Sequence, residues 1–361
     1  MPVQYGGDRI TFSDGSNLGS GWTGFKNRII NGAMTIDQRN AGAVVTINSS
    51  NTFAYCPDRF QTNQGGSGVV FSSQQVSDAP TGFVNSLRVT VSTAATPSAG
   101  QFVFCRQIIE GFNIADLGWG TASAQTVTAS FWVKSSITGA YAVFFINSAE
   151  DRSYFSTVTI NSANTWEFKT VTVPGDTTGT WLTNNSNGIR FGIDLGSGSN
   201  YQGTVNAWQS GWKQRTAGTV NFCQNTGATF QITGVQLEKG STATSFDYRP
   251  YGTELALCCR YFQKLVEPSL SGYAPTGTAV WRMGGLLPVQ MRASGTVTLT
   301  GNPPIQSAGA SSLSSVGANY SNNGNSIEFD GTLNASVSVN GSIVKTICST
   351  STTAINISSE L

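Results

Sequence analysis

Phe230 and Ile232 alternate with polar neighbours, and the alternation changes phase across Gly234 before resuming at Val235 and Leu237. A side-chain period of two belongs to an extended strand with one buried face, and a glycine at a phase change marks where an extra residue bulges from the ladder. The same period recurs at Leu87, Val89 and Val91, and at Val127, Ala129, Phe131 and Val133. It is cleanest at Ile189, Phe191, Ile193 and Leu195, with Arg190 and Asp194 on the other face. Such runs predict antiparallel sheets with one wet face. Residues 140–146, AYAVFFI, are apolar on both faces and predict a central strand covered on each side. Clusters of Gly, Asn, Ser and Thr separate the runs, so the expected fold is mainly β, a jelly-roll β-sandwich of two packed sheets.

At 361 residues the chain exceeds one typical domain. The sequence divides into a polar, glycine-dotted arm at 1–25 with one plausible strand at 8–12, a jelly roll at 26–250, and a β domain at 251–361 opened by a short helix. That helix is expected from about Thr253, as N-cap, to Leu265, with Leu255, Leu257, Cys258, Phe262 and Leu265 near helical spacing and Pro268 as its stop. Strands are expected beyond it at 278–283, 286–291, 296–300, 326–330, 335–339 and 342–348, forming a second small β-sandwich. The low-complexity stretch 301–325 reads as loop. A unit of this size with few large apolar groups leaves burial to be supplied by oligomer contacts.

Charged residues make up only 11% and the formal net charge is +1. No basic stripe exists to hold a phosphate backbone, which argues against nucleic acid as a partner. No apolar run reaches the length of a membrane span, and the N-terminus lacks a signal peptide's charged and apolar regions, so membrane insertion and Sec export are not expected. Six cysteines form no CxxC pair and histidine is absent, which removes the usual zinc ligands and every Ser-His-Asp or Cys-His arrangement. Adjacent Cys258 and Cys259 on one helix diverge by about a hundred degrees, so at most one can face a core. Both are expected as reduced thiols in a chain assembled in a reducing cytoplasm.

Carboxylates remain the available catalytic groups. Glycoside hydrolysis needs two of them about 5–10 Å apart. Glu110, Asp116, Glu150, Glu167 and Asp194 could meet across a sandwich surface, but nothing in the sequence pairs them. The expectation is therefore a protein that is not an enzyme. Sugar binding asks instead for aromatic rings among amide and charged side chains. Trp208 and Trp212 bracket the polar segment NAWQSGWKQRT beside Tyr201, Trp181 precedes LTNNSNG, and Trp132 lies on the polar side of its strand. These five are the glycan-binding candidates, each with the alternative role of a core or subunit-contact ring. No cofactor is expected beyond a structural Ca²⁺, for which Asp247 and Asp58 are the weak candidate donors, each alternatively a hydrogen-bonded aspartate.

Several short motifs carry a resemblance. Asn27-Arg28-Ile29-Ile30-Asn31-Gly32-Ala33-Met34, Tyr55-Cys56-Pro57-Asp58-Arg59-Phe60, Val235-Gln236-Leu237-Glu238-Lys239-Gly240, Phe246-Asp247, Glu254-Leu255-Ala256-Leu257-Cys258-Cys259-Arg260-Tyr261-Phe262 and Leu287-Pro288-Val289-Gln290-Met291-Arg292 lie over about residues 26–300. Together they resemble bacteriophage and prophage fibre (appendage) proteins, in which a carbohydrate-binding-module-like jelly roll meets a small C-terminal β domain. The match weakens in the last sixty residues, and the family's ELALCqRYy becomes ELALCCRYF. The resemblance implies a homotrimeric virion component on tail, neck or head, assembled in the host cytoplasm. It would recognise host surface polysaccharide and attach to other virion proteins through the arm at 1–25, with a frayed terminus as the lesser alternative. The shared motifs are structural, so no binding residue is carried over. The alternatives are a purely structural neck or capsid decoration protein and, third, a polysaccharide depolymerase, whose usual β-helix repeat is not visible here.

Overall fold

The computed structural model describes residues 26–50, 52–265, 280–300 and 354–361. It also describes the strands at 4–6, 9–11, 17–19, 271–273, 304–307, 310–321, 326–333 and 343–346. An antiparallel meander of β1 (Gln4–Gly6), β2 (Arg9–Thr11) and β3 (Asn17–Gly19) comes first. Next in the chain come β4 (Val45–Ile47), β5 (Phe53–Tyr55), β6 (Phe60–Gln64), β7 (Val70–Val76), β8 (Ser86–Thr93), β9 (Val103–Glu110), β10 (Val127–Ser135), β11 (Gly139–Ile146), β12 (Arg152–Ile160), β13 (Glu167–Val173), β14 (Asn187–Asp194), β15 (Gln209–Ser210) and β16 (Thr229–Lys239). They form two antiparallel sheets of a jelly-roll β-sandwich, a six-stranded one in the order β13-β10-β16-β8-β7-β4 and a seven-stranded one in the order β15-β12-β11-β14-β9-β6-β5.

The alternating residues meet between the sheets. Leu87, Val89, Val127, Phe131, Phe145, Ile189, Phe191 and Phe230 are among those excluded from water in one continuous core. The phase change at Gly234 is a bulge, because Ser130 pairs with Gln236 but Trp132 pairs with Thr233. Gly234 has φ +60, and a Cβ there would stand 2.6 Å from the Phe83 ring. β11 is central and covered on both faces. Tyr141, Val143 and Phe145 enter the main core, while Ala142, Phe144 and Ile146 are buried in a second cluster on the outer face of the same sheet.

The motif residues tie this sandwich to the C-terminal part of the chain. Asn27 Oδ1 accepts the Ile29 and Leu237 N–H groups and its Nδ2 donates to Val235 O, which laces the segment before β4 along β16. Gly32 passes so close that a Cβ would lie 2.1 Å from Val235 O. Helix α1 (Tyr251–Cys259) packs through Cys258 and Leu255 on Ile30 and Ile36. Glu110 accepts Arg260 Nη2 at 2.6 Å and the Tyr261 hydroxyl at 2.7 Å. Buried Arg59 lies 3.5 Å from the Tyr261 ring centroid, donates to Ile108 O and pairs with Glu360.

Helix α1 is shorter than the sequence suggests and begins earlier. Its N-cap is Pro250, without a side-chain cap, rather than Thr253. The chain from Phe262 onward is β17 (Phe262–Leu265), not helix, because each of its residues is paired with the last strand of the chain, from Phe262↔Ser358 to Leu265↔Ile355. Pro268 lies outside the described residues. Cys258 is fully buried and Cys259 only partly, as helical geometry requires. Both are free thiols, as are Cys56, Cys105 and Cys223.

The remaining strands are β18 (Ser271–Tyr273), β19 (Val280–Leu286), β20 (Thr296–Thr300), β21 (Pro304–Ser307), β22 (Ala310–Ser321), β23 (Ser326–Leu333), β24 (Ile343–Thr346) and β25 (Ala354–Ser358). β17, β25 and β20 make a three-stranded sheet, and β18-β19-β23-β22-β21-β24 close into a barrel, the form taken by the small β unit expected as a sandwich. Two further expectations are corrected. Residues 287–291 are not strand; Pro288 has no N–H for a ladder, and Arg292 instead donates its N–H to Arg260 O at 2.9 Å. Within 301–325 the expected loop contains β21 and β22, whose small polar residues gain backbone partners from β23 and β24. The expected strand at 335–339 lies outside the described residues.

Candidate functional site

The outward face of the seven-stranded sheet holds a polar and aromatic row at one level. Tyr55 pairs with Gln61, Gln61 with Arg106, Arg106 with Gly192, Gly192 with Phe144 and Phe144 with Phe155. Phe104, Phe144 and Phe155 are too apolar to face water, and all three are fully buried. The segment after β14 covers them. It runs out through Tyr201, returns through β15, which pairs with β12, and passes Trp212 beside Phe104, with ring centroids 5.9 Å apart.

This strap is held at its base by charge. Arg215 Nη1 lies 3.3 Å from Asp194 Oδ2, donates to Ser197 O, and is assisted by Gln214 Nε2 on Asp194 Oδ1 at 3.0 Å. Arg215 Nη2 donates to Thr219 O and Asn221 Oδ1. Burial pushes the Asp194 carboxyl above its usual range, opposed by Arg215 and the Ser197 hydrogen bonds.

The strap brings Tyr201 and Trp212 together at 5.1 Å and seats both on Phe102, at 5.8 and 5.2 Å. All three rings are half-buried. Their polar tips are engaged within the protein, Trp212 Nε1 on Gln214 Oε1 and the Tyr201 hydroxyl on Gly100 O, so the open surface they offer is ring. Phe102 also stacks on Phe104, and the Arg106 guanidinium carbon sits 4.8 Å from the Phe104 centroid.

Arg106 donates Nε–H to Gln61 Oε1 at 2.7 Å, and among the described residues its two Nη groups have no hydrogen-bond partner. Arg190 lies diagonally across Gly192 on the same face, since Arg106 pairs with Gly192 and Ile108 with Arg190. It engages Glu150 through Nη1 and Ser148 O through Nη2, leaving its buried Nε unpaired. Burial and the neighbouring Arg190 charge push Arg106 down to about 10, and burial lowers Arg190 too. Both remain cations at neutral pH, and Glu150 on Arg190 is the one carboxylate paired with them among the described residues.

The other expected site residues lie elsewhere. Trp181 is buried, packed on Trp119 at 4.8 Å, with Nε1 bonded to Asp176 and Thr178. Trp208 joins that cluster at 5.4 Å from Trp181 and donates to Pro174 O, so both tryptophans extend the main core rather than the Tyr201–Trp212 surface. Trp132 does lie on an outer face, but of the six-stranded sheet, where it packs on the exposed Phe168. The two candidate calcium donors, Asp58 and Asp247, both have hydrogen-bond partners within the protein. Asp58 accepts the Gln38 N–H and Nε2–H groups and lies 3.6 Å from Arg39, while Asp247 accepts the Asn27 N–H. Among the described residues no group of three His, Cys, Asp or Glu side chains is placed to hold a metal ion.

Each of the five carboxylates considered for hydrolysis is engaged by a cation of its own. Glu110 meets Arg260, Asp116 meets Arg28, Glu150 meets Arg190, Glu167 meets Lys169 and Asp194 meets Arg215. Burial would raise Glu110 and Asp116, but hydrogen bonds from Arg260 and Tyr261, and from Arg28, hold both below the usual range. Glu167 is drawn down to about 2, a slight burial being outweighed by Lys169 and the Ser162 and Asn161 N–H groups.

Phe102, Arg106, Gln61 and Arg190 do not stand out in the sequence. The available signal is Arg190 at an outward position between Ile189 and Phe191, whereas Arg106 is followed by Gln107 and has no such pattern. That their strands are adjacent is not legible there.

No protein-family model matches the chain, and no curated protein does. Among solved structures, the bacteriophage CBA120 tailspike protein 4 enzymatically active domain aligns at 11% identity over 59% of this chain and 21% of its own length, with a TM-score of 0.32. A CBM4 module aligns at 15% identity over 58% of this chain and 98% of its own, at 0.27. The family 11 carbohydrate-binding module of the Clostridium thermocellum cellulase Lic26A-Cel5E aligns at 13% identity over 51% and 90%, at 0.27. These scores are low, and the fold is defined by the two-sheet topology itself. Among the described residues no helix is long and apolar enough to cross a membrane.

Proposed function

We propose that the chain is a non-enzymatic virion fibre or appendage protein, homotrimeric, that adheres to host cell-surface glycan through the jelly roll and joins other virion proteins through its N-terminal arm. The motif resemblance supports the virion setting. The observation that carries the binding reading is the Phe102–Tyr201–Trp212 cluster, whose rings are held rigidly beside Arg106 and Gln61 on one outward sheet face. Rings with engaged polar tips offer pyranose faces an apolar surface, and amide and guanidinium groups alongside supply hydrogen bonds to hydroxyls. Carboxylates that each face a cation are poorly arranged for acid–base cleavage, which favours adhesion over hydrolysis.

Adsorption of the full chain to a glycan array and to purified bacterial envelope fractions tests this reading, with native mass measurement for the trimer. Retention that falls on Trp212→Ala is expected. No retention by any fraction from a correctly folded trimer favours the structural decoration protein, and release of reducing ends favours the depolymerase. A stable monomer removes the trimer.

A further inference from the structure

We infer that the glycan bound on this face is acidic, and that its carboxylate sits between Arg106 and Arg190; this rests on the glycan-binding reading above. Two guanidiniums share one sheet face across Gly192, with Glu150 the carboxylate that pairs with Arg190. The Arg106 Nη groups form a planar fork with no hydrogen-bond partner among the described residues, the geometry that takes a carboxylate through two parallel N–H···O bonds. Gln61 and the Phe104 ring fix the stem of that fork from two sides, so little side-chain freedom is lost when an anion arrives.

Like charge is costly when two cations are desolvated together. Burial first and the Arg190 charge second lower Arg106, and a bound anion offsets both, which makes an oxyanion the ligand class favoured here. Two guanidiniums against one carboxylate leave a single positive charge, which matches a monoanionic uronate better than a doubly charged phosphate monoester. Phe104 links the aromatic cluster to the arginine fork, in contact with both Phe102 and Arg106. One acidic pyranose residue can therefore present its ring to the platform and its carboxylate to the fork.

The test uses the full chain, with polygalacturonate, alginate and hyaluronan as probes beside the carboxyl-reduced form of each, and a phosphorylated mannan as a separate arm. Affinity electrophoresis is expected to show at least one uronate polymer bound about tenfold or more tighter than its carboxyl-reduced form at low salt, with the difference shrinking as salt rises. Arg106→Gln and Arg190→Gln are expected to bring the acid-to-reduced binding ratio to about one, and Trp212→Ala to weaken both forms with that ratio kept. Equal binding of acidic and reduced forms overturns the inference and leaves glycan binding standing, as does a preference for the phosphorylated mannan. Absence of binding to every probe and to the array overturns both. Should an arginine variant fail to fold, the salt dependence and the acid-to-reduced ratio of the unaltered protein still decide.

Discussion

Arg215 Nη1 and Asp194 Oδ2 stand 3.3 Å apart with both side chains shut off from water, and this pair anchors the strap that carries Tyr201 and Trp212. Deleting one partner strands the other charge in a dry site. Asp194→Ala or Arg215→Ala is expected to cost about 3–5 kcal/mol in denaturant unfolding. In whatever folds, amide exchange across residues 199–215 is expected to quicken ahead of the central strands. Unchanged exchange there would show that the strap is held by something else.

The tryptophans are expected to separate by role. Trp181→Ala empties a buried ring and should cost about 3–5 kcal/mol, with glycan retention per folded molecule unaltered. Trp212→Ala removes a half-buried ring, so its stability cost should be smaller while retention falls several-fold. Thermal unfolding and array binding on the same preparations check this; the reverse pattern would move the site to the Trp119–Trp181–Trp208 cluster.

Burial raises the Asp58 carboxyl to about 6 against the opposing Arg39 charge and the Gln38 hydrogen bonds. The folded state thus keeps a proton that the unfolded chain releases near its ordinary value of 3.8. The associated stability is fully present below that value and is lost as pH rises through about 6. Asp58→Asn is expected to flatten this part of the profile by roughly 1–3 kcal/mol between the two limits. Unfolding midpoints at pH 4, 5, 6 and 7 measure it, and parallel profiles for the two proteins would refute it.

Gly234→Ala is expected to destabilise by about 1–3 kcal/mol, because the bulge holds φ at +60 and the added Cβ would press on the Phe83 ring. Gly240→Ala is the control. It shares a positive φ of +121 but meets nothing within 4 Å, so any loss there reports backbone strain alone.

The strands of the sandwich are legible in the chain because half-burial writes a period of two into the residues themselves. Phe131, Phe191 and Phe230 all point where that period places them, and the Gly234 phase shift is a true bulge. Phe262–Leu265 resembles a helix end in sequence because its backbone partner, β25, lies far along the chain. The strands within 301–325 escape a sequence reading for a related reason, since small polar residues carry no burial pattern and acquire their conformation from the strands that flank them.

Sequence by itself determined that this is a mainly β chain with a double-covered central strand, and that no Ser-His-Asp or Cys-His arrangement can be built from a chain without histidine. Tertiary structure alone decided which aromatics share a surface. Tyr201 and Trp212 meet because Arg215, many positions from either Phe102 or Asp194 in the pattern of strands, pulls the strap over the sheet. Arg106 and Arg190 become neighbours because β9 pairs with β14. Alternation specifies the face on which a side chain emerges, whereas pairing between distant strands specifies what stands beside it.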